Sequence, residues 1–320
     1  MNKKKNFLDN LADQLFSSTK QLQRIVILTG VLLVLAIASF AGYYYYDRFY
    51  QPQPKQAEVS ISKAEKAVRD DPQSIDARLN LAEAYMVNRQ WNEAINQANT
   101  VLTQETTNQH AWLLIGVSNA NNGKPADAIP FLSKFVLARQ DEDMANLDKQ
   151  LQSASYYLGD CYLQLGDPQK AITPLEMAVN WSKTDADAMY KLGLAYLRVK
   201  DYPNAVTLFN KATTFVPDYL EAYEGMSAAY TAMKEPALND FALGMVAYSK
   251  QDYATARDLL VKSTQEKADS AMIFTGLGQT YERLNELENA KSAYESALKL
   301  DPNNFSANNG IQRVEILLKK

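Results

Sequence analysis

Apolar and polar residues are distributed in two different ways along this chain. Residues 25–42 form one uncharged, mainly apolar run, IVILTGVLLVLAIASFAG, which four consecutive tyrosines follow at 43–46. From about residue 57 onward, apolar residues instead recur three or four positions apart, in short segments separated by polar, glycine or proline residues. The first pattern is typical of a helix that is apolar on every face, and the second predicts a series of amphipathic helices.

The apolar run is long enough to cross a membrane. Counted from residue 25 to residue 46, it would extend about 33 Å as a helix, against a hydrocarbon core of roughly 30 Å. We therefore predict a transmembrane helix over residues 25–46 that contacts the lipid bilayer, with an aromatic belt at its end and a proline-containing spacer over residues 47–56. A cleaved signal peptide is the competing interpretation, although its small-residue site, Ala36-Ile37-Ala38, lies inside the apolar run.

The cations on either side of this segment predict its orientation. More of them precede the apolar run than follow it: Lys3, Lys4, Lys5, Lys20 and Arg24 come before it, and Arg48 and Lys55 come shortly after. Because positively charged flanks stay in the cytoplasm, we predict a cytoplasmic N-terminal segment over residues 1–24 and an extracytoplasmic location for the larger remainder. The reversed orientation stays open at this point.

A 34-residue repeat runs through the rest of the chain. The segment YYLGDCYLQLGDPQKAITPLEMA at 156–178 is followed by YKLGLAYLRVKDYPNAVTLFNKA at 190–212. Pairs that resemble Leu-Gly occur at 81–82, 115–116, 158–159, 192–193, 226–227, 243–244 and 277–278, and prolines end repeats at 72, 217 and 302. Such a period predicts helix hairpins that stack and bury one continuous core.

In these residues and spacings the chain resembles the tetratricopeptide repeat (TPR) family. The resemblance covers most of residues 57–302 and implies a TPR superhelical solenoid of antiparallel helix hairpins. With the transmembrane helix that the apolar run predicts before it, the whole fold is expected to be all-α. Residues 303–320 are predicted to form a capping helix with Ile311, Val314, Leu317 and Leu318 on one face.

Close packing of two helices requires a small side chain opposite a large one. We therefore expect the small residues of the two helices of a hairpin to face one another, with Gly116 or Gly159 opposite Ala128 or Ala171. Three departures from the period stand out. Residues 57–72 look like a second helix without its first, nine extra residues between positions 115 and 158 lengthen a helix or a loop, and positions 226 and 243 are only half a repeat apart. The half-repeat either bends the solenoid or divides it into two lobes.

Composition excludes most chemistry. Among 320 residues there is one cysteine, Cys161, and one histidine, His110, which together cannot form a zinc site, and a disulfide within the chain is impossible. The net charge of −4 gives no reason to expect nucleic acid as a partner. We predict no enzyme activity, no catalytic or metal-binding residue, no cofactor and no small-molecule substrate. Cys161 is expected in the core and His110 at a solvated or capping position.

The family resemblance implies that the first helix of each hairpin lines a concave groove that binds protein partners or peptide segments. The predicted groove residues are Val117, Asn121, Tyr156, Gln164, Tyr190, Leu194 and Arg198, and later units offer Tyr248, Gln279 and Arg283 among others. The Lys and Asn residues with which one TPR subclass binds terminal carboxylates are absent. We hypothesise that Asn121, Gln164 and Arg198 hydrogen-bond an extended backbone. A solvated groove wall is the alternative.

Taken together, these features predict a single-pass, membrane-anchored TPR adaptor or scaffold that binds proteins on the extracytoplasmic side. Similar anchored TPR proteins of bacteria imply the inner (plasma) membrane as its location and a role in envelope protein assembly. The alternative is a structural accessory subunit that is permanently integrated in a larger membrane protein complex.

Overall fold

The computed structural model describes residues 27–30 and 56–319, and two compact units meet within its first long helix, at residue 63. In the first unit, residues 27–30 and 56–63 are helical. No helix in these described ranges is long and apolar enough to cross a membrane. The predicted transmembrane segment at 25–46 lies, apart from residues 27–30, outside the described residues, as do the predicted cytoplasmic segment and nearly all of the spacer.

Every regular element between residues 56 and 319 is helical, as predicted. Fifteen α-helices follow one another with short connections, and a single 3-10 turn, Ala145–Leu147, lies between the fifth and sixth. The helices are α1 (Gln56–Asp70), α2 (Ile75–Val87), α3 (Trp91–Gln104), α4 (Gln109–Asn121), α5 (Pro125–Arg139), α6 (Lys149–Gln164), α7 (Pro168–Trp181), α8 (Ala186–Arg198), α9 (Tyr202–Phe215), α10 (Leu220–Met233), α11 (Pro236–Ser249), α12 (Tyr253–Glu266), α13 (Ala271–Arg283), α14 (Leu287–Leu300) and α15 (Phe305–Leu318).

Two kinds of turn connect these helices. The turn inside a hairpin contains one residue in the left-handed region, as at Gly123 with φ 71° and Lys200 with φ 66°, and the next N–H bonds a carbonyl five residues back. In the turn between hairpins, the N-cap residue has an extended backbone and its N–H bonds a carbonyl three residues back. The next helix begins after a polar N-cap such as Asn108 or Asp185, whose side chain accepts from the third backbone N–H of the helix. Each turn therefore shows whether the helix after it belongs to the same hairpin or to the next one.

Helices within a hairpin approach closely at the predicted glycines, but the partner differs from the expectation. A Cβ added at Gly116 would lie 2.7 Å from Cγ of Leu132, and one added at Gly159 would lie 2.8 Å from Cδ2 of Leu175. The nearest atoms to these glycines therefore belong to Leu132 and Leu175 and not to the expected Ala128 and Ala171. The facing residue is the leucine one helical turn further on, because the missing glycine side chain leaves space that only a large residue fills.

The half-repeat changes the role of one helix. The turn from α10 to α11 has Lys234 in the left-handed region, and the turn from α11 to α12 has Gln251 there, so both are turns of the within-hairpin kind. Helix α11 is consequently the second helix of one hairpin and the first helix of the next. One buried cluster that includes Phe209, Tyr223 and Leu260 runs across this position, so the core is not divided into two lobes.

The inner side of the stack changes at the same position. Helices α2, α4, α6 and α8 each contact the next even-numbered helix, as far as α10, whereas from α11 onward the contacts are between the odd-numbered helices α11, α13 and α15. In a curved double layer, second neighbours touch on the inner side, where helices are closest. The inner surface is therefore formed by one layer before α11 and by the other layer after it.

The other departures from the period also have a structural form. The nine extra residues form the loop at 140–148, in which Arg139 Nη2 pairs with Asp148 Oδ2 at 2.9 Å and Asp148 caps α6. Helix α1 takes the place of a second helix, because Tyr85 of α2 donates to its Glu65 at 2.9 Å, as Tyr196 of α8 donates to Glu176 of α7.

Helix α15 packs at the end of the array, with one difference from the prediction. It buries Ala307, Gly310 and Val314 against α14, whereas Leu317 and Leu318 are 43% and 38% exposed. The predicted apolar face is therefore buried at Val314 and half-buried at Ile311, but it is exposed at Leu317 and Leu318. Gly310 lies against Tyr294, and this contact turns the buried face of α15, formed by Ala307, Gly310 and Val314, toward α14. Leu317 consequently lies in the wall of a surface cavity.

Candidate partner-binding grooves

All seven groove residues predicted from the sequence lie on α4, α6 and α8, the inner helices of the first part of the array. Asn121, Gln164 and Arg198 are exposed at the ends of these three helices. The other four, Val117, Tyr156, Tyr190 and Leu194, are half-buried. We call the surface formed by the inner faces of α2, α4, α6, α8 and α10 the first groove.

The three polar side chains of the proposed hydrogen-bonding ladder already bond within the protein. Asn121 Nδ2 donates to the carbonyl of Val117 at 2.9 Å, and Gln164 Nε2 donates to Asp160 Oδ2 at 2.7 Å. Arg198 Nη1 donates to the carbonyl of Leu163 on α6 at 2.6 Å. Since the amide nitrogens are the engaged atoms, the amide oxygens of Asn121 and Gln164 are the groups that could accept from a bound backbone. The ladder stays a prediction.

Tyrosines form one wall of the first groove. The rings of Tyr190 and Tyr219 lie 5.2 Å apart between centroids, and the Tyr219 hydroxyl donates to Asp187 Oδ1 at 2.7 Å. Tyr190 also contacts the buried ring of Phe209 at 5.9 Å. Tyr219 is not among the groove residues predicted from the sequence, because it precedes α10 and reaches the groove only through its contacts with α8.

Carboxylates dominate the charge of the first groove. On or beside the inner faces of α2, α6, α8 and α10 lie Glu83, Asp160, Asp187, Glu221 and Glu224. The cations that oppose them are Lys191, which pairs with Asp160 at 2.5 Å, Lys250, which pairs with Glu224 at 3.4 Å, and Arg198. His110 Nε2 also lies 2.8 Å from Glu83 Oε1. Burial, followed by neighbouring carboxylates, raises the pKa of the Tyr156, Tyr190 and Tyr219 hydroxyls above their ordinary value. The first groove is thus acidic and aromatic.

The inner faces of α11, α13 and α15 form the second groove, which contains two adjoining cavities of 320 Å³ and 550 Å³. Phe241, Met245 and Met272 line the smaller cavity, and the end of α9, from Asn210 to Pro217, also borders it. Arg283, Arg313 and Leu317 line the larger one, and Phe305 borders both. The sequence analysis found the residues of α11 and α13 but missed those of α15, which it treated only as a cap.

A hydrogen-bonded network joins α13, α14 and α15 at the floor of the second groove. Nε and Nη2 of Arg313 each donate to one oxygen of Glu282 at 2.9 Å, and the Tyr294 hydroxyl donates to Glu282 Oε2 at 2.9 Å. Burial acts to raise the pKa of Glu282, but the hydrogen bonds from Arg313 and Tyr294 outweigh it, so this pKa lies below its ordinary value.

This network predicts a pH-dependent contribution to stability. A carboxyl whose pKa is lower in the folded chain stabilises the fold above its unfolded pKa of about 4.3, and this contribution is lost as the pH falls through the folded pKa. We expect Glu282→Gln to lower the free energy of unfolding at pH 7 by about 1–2 kcal/mol. Urea unfolding at a series of pH values should show the gap to the wild type narrowing below pH 4. An equal gap at pH 7 and pH 3 would contradict the assignment.

The single cysteine lies in the core, as predicted. Cys161 is buried, and burial raises the pKa of its thiol to about 12. A thiol with such a pKa stays protonated at neutral pH and is a poor nucleophile.

Comparisons with known proteins agree with this arrangement of hairpins. Models of the tetratricopeptide repeat match residues 53–116, 153–180, 187–219 and 271–304. The chain belongs to the tetratricopeptide repeat family. The longest unmatched stretch of the array, residues 220–270, contains α10, α11 and α12, where the half-repeat shift lies. TPR proteins generally act as interaction scaffolds without enzyme activity and bind proteins or peptides.

Solved structures share the fold at low sequence identity. YrrB, described as a TPR protein with an unusual peptide-binding site, is 16% identical over 60% of this chain and 95% of its own, with a TM-score of 0.52. The C-terminal part of a TPR protein from Cytophaga hutchinsonii is 20% identical over 80% of this chain and 94% of its own, with a TM-score of 0.48. A chain of the Cut9–Hcn1 hetero-tetramer of the APC/C is 17% identical, with a TM-score of 0.43; the match covers 81% of this chain but only 46% of that one. No curated protein sequence matches the chain.

Proposed function

We propose that this TPR protein is a single-pass, membrane-anchored adaptor that captures extended segments of protein partners in its first groove. Residues 25–46 serve as the anchor, residues 1–24 lie in the cytoplasm, and the array lies on the extracytoplasmic side of a bacterial inner membrane. The uncharged apolar run and the excess of cations before it support this placement. An anchor raises the effective concentration of the groove near envelope proteins under assembly, so that modest affinity is sufficient.

The acidic, tyrosine-lined surface of α6, α8 and α10 is the observation that carries the proposed binding role. Tyrosine combines a large apolar ring with a hydroxyl and loses little conformational entropy on binding, which suits it to contact varied side chains. Asn121, Gln164 and Arg198 lie at equivalent ends of three successive inner helices and are exposed. A chain that crosses these helices would meet an equivalent polar side chain at each repeat, which suits backbone recognition.

Replacing Asn121, Gln164 and Arg198 together by alanine tests this role. We expect at least a tenfold loss of partner crosslinking, since each exposed side chain contributes to binding and little to folding. A photoreactive amino acid at Leu194 would report capture in membranes. The matched control has alanine at three exposed residues on the second helices of hairpins, Asn99, Gln169 and Lys211. It should leave partner crosslinking unchanged. Unchanged crosslinking in the groove variant, with an intact far-UV spectrum, would remove the basis for the ladder.

Exposed apolar residues near the C-terminal end favour a second candidate, a structural subunit of a larger membrane complex. Phe305 is 77% exposed and Ile316 is 59% exposed, and permanent interfaces commonly cover such residues. Size-exclusion chromatography of a mild detergent extract separates the two functions. A stable complex of fixed stoichiometry supports the subunit, and an exchangeable set of partners supports the adaptor.

Protease treatment of intact and opened cells tests the orientation. We expect the array to be cleaved once the outer envelope is permeable, while the cytoplasmic membrane is still sealed. Cleavage only after the cytoplasm is opened would reverse the proposed topology.

A further inference from the structure

We infer that the second groove, formed by α11, α13 and α15, is a separate binding surface for a second protein. Its occupant is an extended segment in which a bulky apolar side chain stands next to one or more acidic side chains. The chain would then bridge two partners of different chemistry, which goes beyond the capture of one partner in the first groove.

The half-repeat assigns the two grooves to different layers of helices. Because α11 is both the second helix of one hairpin and the first helix of the next, the inner surface passes from the even-numbered layer to the odd-numbered layer. The lining of the smaller cavity comes mainly from α9, α11, α13 and α15, with Tyr223 of α10 at its border. The two grooves are therefore formed by different layers of helices, so that each can hold its own peptide.

The smaller cavity has a size and an apolar lining that suit a large side chain. At 320 Å³ it falls at the lower end of the range for ligand-binding cavities and has room for a large side chain. Phe241 and Met245 form its buried base, and methionine adapts to side chains of different shape. Phe305 lies at its edge with 77% of its surface exposed, which provides an uncovered aromatic contact beside the opening. A bulky apolar residue of a partner fits this site.

The larger cavity carries a net positive charge. Its charged lining consists of Glu282, Arg283 and Arg313, which leaves one net positive charge. The carboxylate of Glu282 is already bound by Arg313 and Tyr294. Within the described part of the chain, Arg283 uses only Nε, which donates to the Tyr248 hydroxyl at 3.1 Å. A guanidinium has five N–H donors and suits a carboxylate, so Arg283 favours an acidic side chain next to the apolar one.

The two grooves also discriminate against each other's ligands. Glu83, Asp160, Asp187, Glu221 and Glu224 would repel an acidic segment from the first groove. The net positive charge at Arg283 would disfavour a basic side chain in the larger cavity of the second. Although Asp301 lines the smaller cavity, the larger cavity is opposite in charge to the first groove. This difference favours one site for each partner, because specificity depends on the rejection of wrong ligands as much as on attraction.

Two labelled synthetic peptides test this proposal with the full-length chain. The first has one phenylalanine followed by two aspartates in a glycine–serine background, and the second has lysines in place of the aspartates. Fluorescence anisotropy at low salt should show the acidic peptide binding, and Arg283→Glu should weaken it at least tenfold, about 1.4 kcal/mol. The matched charge reversal in the first groove, Arg198→Glu, should leave acidic-peptide binding unchanged.

A second variant keeps the test informative if Arg283→Glu disturbs folding. Phe305→Ala removes an exposed ring with little packing to lose, and it should weaken the acidic peptide severalfold. The proposal is overturned if the acidic peptide does not bind, if it binds no better than the lysine peptide, or if neither second-groove variant weakens it. The alanine variant of Asn121, Gln164 and Arg198 should not affect this peptide, so failure of the first groove is detected separately.

Discussion

Replacing Phe209 by alanine is expected to lower the free energy of unfolding of the array by about 3–5 kcal/mol, the usual cost of truncating a fully buried aromatic residue. Phe209 has no exposed surface and lies between two helices that provide glycine on either side. A Cβ added at Gly193 of α8 would lie 2.8 Å from its ring, and one at Gly225 of α10 would lie 2.5 Å from it. Glycine provides no side chain at these two points of contact, so a cavity would remain.

Urea unfolding followed by far-UV circular dichroism measures this loss. The matched control is Phe215→Ala on the same helix, because Phe215 is 46% exposed and its truncation leaves no enclosed cavity. We expect the free energy of unfolding of this control to stay within about 1 kcal/mol of the wild type. Because repeat arrays can unfold in parts, hydrogen exchange should locate the loss in α8, α9 and α10. If Phe209→Ala and Phe215→Ala lowered the free energy of unfolding equally, packing of Phe209 between α8 and α10 would not be an important source of stability.

The sequence predicts the hairpins of this fold well because they depend on local features. The N-cap residues Asn108 and Asp185 and the left-handed turn at Gly123 act within a few residues of their own position, and the glycines at 116, 159 and 193 contact residues of the same hairpin. The partner of Gly116 could not be predicted in the same way. Leu132 and Ala128 are both apolar residues on one face of α5, and only the rotation of that helix decides which of them faces the glycine.

The candidate site is less predictable, because it depends on contacts between repeats. The sequence places Asn121, Gln164 and Arg198 at equivalent positions, but the bond from Arg198 to the Leu163 carbonyl depends on the distance between α6 and α8. The spacing between positions 226 and 243 shows that half a repeat is missing. It does not show that α11 serves two hairpins, because that depends on the backbone conformation at Lys234 and Gln251.

The half-repeat shift also indicates how the two grooves are related energetically. In a repeat array each unit is stabilised by its own hairpin and by its neighbours. Phe209 and Leu260 belong to the buried cluster that extends across α10 and α11, so the helices that form the two grooves share one core. The grooves therefore differ in charge and in the layer of helices that forms them, while the buried core between them is continuous.

A double-substitution cycle at Gly116 and Leu132 tests the close approach that defines each hairpin. Alanine at Gly116 should gain about 1 kcal/mol from helix propensity, but its Cβ would lie 2.7 Å from both Cγ and Cδ2 of Leu132 and 3.2 Å from the Leu132 backbone nitrogen. Rotation about χ2 of Leu132 leaves Cγ in place, rotation about χ1 would displace a fully buried side chain, and neither moves the backbone nitrogen, so we expect a net loss of about 1–3 kcal/mol. Leu132→Ala alone should cost about 2–5 kcal/mol, because Leu132 is fully buried.

The coupling between these two substitutions is the decisive quantity. With Leu132 shortened, the alanine at position 116 meets no large side chain and keeps its gain in helix propensity. The double variant should therefore be less destabilised than the sum of the single variants by about 1–3 kcal/mol, measured by urea unfolding. Gly123→Ala is the matched control in the same hairpin, since Gly123 has φ 71° and no atom near its added Cβ. Its cost is backbone strain, which Leu132→Ala cannot relieve, so that pair should be additive. Additivity at Gly116 as well would mean that backbone conformation, not contact with Leu132, requires glycine there.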